Sequence, residues 1–235
     1  MTNKVCMVTG VGEGNGRSIS NRFSREGYRV AMLARTRERL DQFEKEIDGA
    51  KGYVCDVTDA DSMSSTVNAV RDELGPIDVF VHNAGSGMWA DFQNTTAEQM
   101  ETAWRINTMG LFVLGQAAVE DMLKSGGGSI VVVGATSALR GGANFTPFAA
   151  AKAAQRSLAQ SMARGLGPKG IHVSYVVVDG MIDIPRIREM DWAKDAPDDA
   201  FLRPDEIADA IWYLSEQPRS TWTFELDLRP YRENW

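Results

Sequence analysis

The chain is poor in cysteine, histidine and positive charge, and each shortage removes a class of function. Only two cysteines, Cys6 and Cys55, and two histidines, His82 and His172, occur among 235 residues. None falls at a metal-ligand spacing, and both cysteines sit inside apolar, strand-like runs. They read as reduced core residues of a cytoplasmic protein, not as a disulfide or a zinc site. His82 reads as a packing or backbone-bonding residue, and His172 carries no role. Lysine and arginine number 25 against 32 aspartates and glutamates, a net charge of −7. That balance argues against a nucleic-acid or anionic-membrane surface and leaves room only for a local basic pocket. No apolar run reaches the roughly 18 residues of a membrane span, and the opening MTNKVCMVTG lacks the apolar core of a signal peptide. The partner expected is a small molecule.

What is present is an ordinary globular composition, 43% hydrophobic and 24% charged, enough for a full core. Strand and helix signals alternate throughout. Residues 4–9, 28–35, 52–59, 76–83, 129–134, 170–180 and 221–228 read as strands. Helical patterns lie between them, among them 36–48 with Leu40, Phe43 and Ile47 inward, and 61–74 with Met63, Val67, Val70 and Leu74 inward. A long helical region spans about 97–124, and Pro204 opens a last helix. This alternation predicts a single-domain α/β fold, a doubly wound parallel sheet with helices on both faces. The stretch 179–203 alone reads as irregular, polar and proline-bearing, and loops of that length tend to be lids.

Between the first strand and first helix stand Gly10, Gly14 and Gly16, preceded by Thr9. Glycines there let the backbone turn tightly and approach a pyrophosphate, whose charge the free N–H groups of a helix start favour. The spacing Gly-x-x-x-Gly-x-Gly, with Asp56 and Val57 after the third strand, Asn83-Ala84-Gly85 after the fourth and Asn107 in the long helix, resembles the short-chain dehydrogenase/reductase family in order and position. The resemblance covers about residues 4–227. It implies a Rossmann-type fold and nicotinamide binding by Thr9, Gly10, Gly14, Gly16, Asp56, Val57 and the Asn83–Gly85 turn. Gly180 and Ile182, after the sixth strand, fall near the cofactor on the same grounds. Where NAD-binding folds place an acid at the end of the second strand, this chain has Ala34 and then Arg35, with Arg37 nearby. An Arg fork matches a 2′-phosphate, so NADP(H) is expected ahead of NAD(H). Glu13 opposes that preference.

The family's catalytic segment has a Ser after the fifth strand, a Tyr thirteen residues later and a Lys four beyond it. Here those places hold Ala135, Phe148 and Lys152. In the family the Tyr is the general acid or base and the Lys holds the cofactor ribose and lowers the Tyr pKa, while the helix Asn supports a water relay. Asn107 and Lys152 are thus the catalytic candidates left. A positioned general acid is worth about 10²–10⁴-fold in rate, and proximity to the dihydronicotinamide contributes separately. Thr136, Ser137 and Thr146 carry nearby hydroxyls that read as loop caps. The family's Pro-Gly and following Thr are replaced by Asp179-Gly180 and Ile184. Asp183 qualifies as a proton source only if burial raises its pKa; otherwise it is a solvated loop residue. Ala135, Ser137, Phe148 and Trp89 would line a substrate pocket, with Met88 and Phe92 beside it and Trp192 closing it from the 179–203 lid.

Two expectations follow. One is an oxidoreductase acting on a small carbonyl, alcohol or imine-type substrate without the Tyr acid. The other is a nucleotide-binding sensor or oligomer partner without turnover. The resemblance also implies a homodimer or homotetramer built through helices near 97–124 and 147–166.

Overall fold

A computed structural model describes residues 4–233. Its elements, in chain order, are β1 (Val5–Thr9), α1 (Asn15–Arg25), β2 (Arg29–Ala34), α2 (Arg37–Glu46), β3 (Ala50–Val54), α3 (Ala60–Glu73) and β4 (Ile77–His82). Next come α4 (Ala97–Trp104), α5 (Gly110–Ser125), β5 (Gly128–Val133), α6 (Thr146–Leu166) and β6 (Ile171–Val178). The chain ends with β7 (Met181–Ile182), α7 (Pro185–Arg188), β8 (Phe201–Leu202), α8 (Pro204–Ser215) and β9 (Glu225–Leu228). Seven strands form one parallel sheet in the order β3-β2-β1-β4-β5-β6-β9. This is the Rossmann-like α/β architecture that the alternating pattern predicts.

Period-two alternation explains the two layers. Val5 and Met7 of β1 face one way with α3, α5 and α6. Cys6 and Val8 face the other with α1, α2 and α8. Both faces of each central strand are apolar because both are covered. Local chemistry sets the helix ends. Asp59 accepts from the amides of Asp61 and Ser62 to start α3, and Thr96 with Gln99 forms a capping box on α4. Gly126, at φ 78°, ends α5 in the left-handed conformation a glycine adopts freely. Both cysteines are buried and free. No helix among the described residues is long and apolar enough to cross a membrane.

The long helical region runs unbroken from Ala97 to Ser125, with a π-helical turn at Arg105–Met109 between α4 and α5. Two expectations are corrected. The final strand begins at Glu225, because Arg219–Thr221 make a 3₁₀ turn and Trp222 stacks on His172 at 4.8 Å. The stretch 179–203 is organised, not irregular. Its β7 and β8 pair in parallel, and Ile187, Ala193 and Phe201 form a small core of their own.

Phe23, fully buried, meets Tyr28 and Trp212 edge-on at 5.3 and 5.2 Å and so ties α1 to α8. Phe23→Ala is expected to lower stability by about 3–5 kcal/mol, measured as a fall in the urea midpoint at unchanged slope.

Candidate active site

The sheet order reverses direction between β1 and β4, so a crevice opens beyond their carboxyl ends, where open α/β sheets bind ligands. A Cβ on Gly10, whose φ is 67°, would lie 2.6 Å from the Ala84 Cα, and one on Gly16 would lie 2.5 Å from the Val11 Cα. Only glycine permits this approach of the two turns. Thr9, fully buried, fastens them: its Oγ1 accepts from the amides of Asn83 and Ala84, both at 3.1 Å. The Asn83 Nδ2 donates to the Gly10 carbonyl at 2.9 Å. Thr9 therefore shapes the crevice from behind and does not line it.

The resulting cleft has a volume of about 630 Å³. Gly10, Gly14, Gly16, Arg35, Asp56, Val57, Asn83, Ala84, Gly85 and Ile182 all line it. The first turn of α1 faces it with no side-chain cap and no acidic residue; the Arg17 and Ser18 amides donate to the Gly12 and Gly14 carbonyls, which leaves the Asn15 and Gly16 amides for an anion. Asp56 accepts from the Thr58 amide and hydroxyl. Partial burial pushes its carboxyl up, but those bonds and the Arg35 charge outweigh it and hold the group below its ordinary value.

A second cavity of about 550 Å³ adjoins the first through Asn83, Gly85, Ser86, Ile182, Ile184 and Arg186. Ala135, Ser137, Phe148, Trp89, Lys152 and Gly180 line it. Trp89 meets Phe145 edge-on at 5.5 Å, making an aromatic wall. Met88, Phe92 and Trp192 do not line it, and Trp192 stacks instead on Phe201. Thr136 gives its hydroxyl hydrogen to Asp179. Asp183 is gripped by Arg188 through two bonds of 2.7 and 2.9 Å, which hold its carboxyl below the ordinary range against the opposing effect of burial. It is neither a buried acid nor a free solvated one.

Lys152 and Asn107 come together beneath Gly85. An added Cβ there would stand 3.3 Å from the Asn107 Oδ1 and 3.7 Å from the Lys152 Nζ. Asn107 is fully buried in the π turn and lines neither cavity. Its Nδ2 donates to the Ala103 carbonyl and Ser86 Oγ, while its Oδ1 is buried without a partner. The Lys152 Nζ donates to the Val133 carbonyl at 2.9 Å and the Gln155 Oε1 at 3.1 Å. Burial pushes its pKa down to about 7.

Several site residues escaped the sequence reading. Gln155 lies three positions beyond Lys152 on the same helix face, a signal that was available. Arg39, not Arg37, joins Arg35 at the cleft; Arg37 bonds Asp41 and the Gly52 carbonyl instead. Arg140 and Arg186 reach the second cavity from distant loops that no local pattern connects.

Residues 4–193 match the sequence model of the short chain dehydrogenases. The chain belongs to the short-chain dehydrogenase/reductase family. It is 31% identical over 227 residues, 92% of each chain, to the 3-oxoacyl-[acyl-carrier-protein] reductase FabG of Thermotoga maritima. Among solved structures, a short-chain dehydrogenase from Rhodopseudomonas palustris superposes with TM-score 0.84 at 33% identity, covering 98% of this chain and 100% of that one. A variant of the actinorhodin polyketide ketoreductase, solved with NADPH, gives 0.88 at 26% identity, covering 100% and 99%. Membership in this family carries the general activity, NAD(P)-dependent oxidoreduction.

The fit of a nicotinamide dinucleotide can be tested on the short-chain fold itself. The glycines leave a cradle that Cβ atoms would fill, α1 presents the unbonded amides of Asn15 and Gly16, and the buried Oδ1 atoms of Asn15 and Asn107 lack partners beside the cleft. The residues fit the group.

His82 supplies a pH test. Burial pushes its pKa down to about 3 from 6.5, with the Lys152 charge adding to the effect. Neutral His82 thus contributes stability that is complete above 6.5 and is lost as pH falls towards about 3. Urea midpoints are expected to decline over that window, and His82→Gln is expected to flatten the decline.

Proposed function

We propose that this protein is a reductase that prefers NADP(H) and reduces an activated carbonyl or a C=N bond. One observation carries the reading. Lys152 and the cleft's dinucleotide-binding features stand in place, while the ring of Phe148 lines the adjoining cavity with no proton to give.

The α1 amides and glycine loop would receive the pyrophosphate and Asp56 and Val57 the adenine, with Gly180 and Ile182 beside the ring, while the one open N–H direction of Lys152 would face the bond being reduced. A bound dihydronicotinamide would supply the hydride. Arg35, just after β2, and Arg39, in the first turn of α2, support NADP(H), since two guanidiniums suit a 2′-phosphate and no acid occupies the ribose position. Glu13 also lines the cleft and works against the phosphate. The activities named for the Thermotoga maritima reductase and the NADPH-bound ketoreductase support a carbonyl acceptor. Absence of the phenol favours acceptors already activated, such as 1,2-diketones or cationic imines. A second copy of the chain is the partner we assign to the α4–α5 face, where Met100, Trp104 and Phe112 are exposed.

Calorimetric titration with NADPH and NADH, followed by NADPH oxidation against imines, aldehydes and activated ketones, tests this. Turnover is expected with at least one acceptor; tight binding without any turnover would instead indicate a sensor. Arg35→Ser is expected to weaken NADPH roughly tenfold to hundredfold, the cost of losing charge-assisted bonds. NADH binding should remain unchanged.

A further inference from the structure

We propose that Lys152 is the proton donor of the cleft and that Gln155 is the positioning residue that holds it in that role. The inference deepens the reductase reading and rests on it.

Other groups near the second cavity fail as donors on geometric grounds. Thr136 spends its hydrogen on Asp179, which therefore accepts and also faces Arg140 and Arg229 at 3.9 Å each. Asp183 is held as a carboxylate by Arg188. The Tyr175 phenol lies fully buried, lines neither cavity, and points at Gln155. Ser137 lines the cavity but offers only an ordinary hydroxyl.

Lys152 differs in its partners. The Val133 carbonyl and Gln155 Oε1 can only accept, so they fix two N–H directions of a tetrahedral nitrogen. Gly85 leaves the side between Nζ and the cleft open. Charged, the nitrogen has a third hydrogen to present there; neutral, it has a lone pair. Neither partner has to move between the two states.

Gln155 cannot flip. Its Nε2 donates to the Asn107 carbonyl at 2.7 Å, and its Oε1 also accepts from Tyr175 at 3.4 Å. A reversed amide would set donor against donor at Lys152 and carbonyl against carbonyl at Asn107. The titratable and charged side chains that share the second cavity with Lys152 are Arg140 after β5, Asp179 just after β6, Arg186 of α7 and Glu233, and His82 of β4 and Tyr175 of β6 lie buried behind it. No carboxylate among the described residues is paired with the ammonium. Burial uncompensated by a counter-charge brings Lys152 down to about 7, where a donor can release its proton near neutrality.

For a carbonyl acceptor the step balances as follows. A bound dihydronicotinamide would supply hydride to the carbonyl carbon and be left oxidised; the C=O π pair would move to oxygen, and that oxygen would take a proton from the Lys152 Nζ. The product would be an alcohol, and the neutral amine would regain its proton from solvent after product release.

The test is a ¹³C NMR titration of protein carrying ε-¹³C lysine, with the Lys152 signal assigned by its loss in Lys152→Arg. It is run on the wild type, Gln155→Glu and Gln155→Met, with and without NADP⁺. The wild-type midpoint is expected near neutrality. Gln155→Glu should raise it by about one to three pH units, the effect of a carboxylate at contact distance. Gln155→Met should lower it. In NADPH-dependent reduction of 2,3-butanedione, kcat/KM should fall as pH rises through the same midpoint and move with it in Gln155→Glu. A midpoint in the ordinary lysine range, or one unmoved by Gln155→Glu, overturns the proposal even in a working reductase. A midpoint that behaves as expected in a protein that oxidises no NADPH overturns the reductase reading, and the donor role with it.

Discussion

The cleft depends on one buried chain of hydrogen bonds whose direction is fixed from end to end. Thr9 Oγ1 accepts from two backbone amides, so its own hydrogen is left for the His82 Nδ1, 3.3 Å away. That assigns the proton of His82 to Nε2, which donates to the Asn107 carbonyl at 3.2 Å. The same carbonyl receives the Gln155 amide, and Gln155 in turn receives Lys152. The turn after β1, the end of β4, the π turn and α6 are thereby joined through groups that water does not reach. Each link that is cut strands a buried donor or acceptor at about 1–3 kcal/mol, and the low local dielectric raises the stakes for the rest.

The π turn is part of the same constraint. A wider turn places one extra residue between α4 and α5 and turns its carbonyls away from the regular helical pattern. The Asn107 carbonyl can then serve two side chains, and Thr108 can reach the Ala151 carbonyl at 2.9 Å to hold α6 alongside. Gly110, just after the turn, lets Val57 pack closely, since a Cβ there would press to 3.1 Å on the Val57 Cβ and oblige it to give by a few tenths of an ångström. A local irregularity of one helix therefore positions Lys152, which lies on another.

The sheet, its two faces and the phosphate turn were legible because they rest on short-range signals: alternating apolar residues, and glycines where two backbones meet. The π turn was not, since residues 105–109 have ordinary helical character and the bonds that His82 and Gln155 make to the Asn107 carbonyl come from outside the segment. The 179–203 stretch read as irregular because pairing of Met181–Ile182 with Phe201–Leu202 is a contact across the segment, invisible to any local window. Arg37 and Arg39 were indistinguishable in sequence; Asp41 and the Gly52 carbonyl decide which of them turns away. Asp183 shows the same limit, since Arg188, five residues on, fixes its charge.

Phe148 and Lys152 are best understood together. The ammonium lies 5.9 Å from the centre of that ring. A phenol at this position would form a coupled pair with the lysine, and the two groups would titrate as a unit, with the proton shared between them. A phenyl ring removes the second titrating group while keeping the apolar wall that desolvates the first. Burying an ammonium against two neutral acceptors costs stability that an aliphatic residue of the same length would not. That cost is informative, because the partners leave one direction open and Gly85 keeps it clear. On the reductase reading, an oxygen or nitrogen of a bound ligand entering over Gly85 would complete the coordination of the nitrogen, a return for that cost which a packing role alone does not offer.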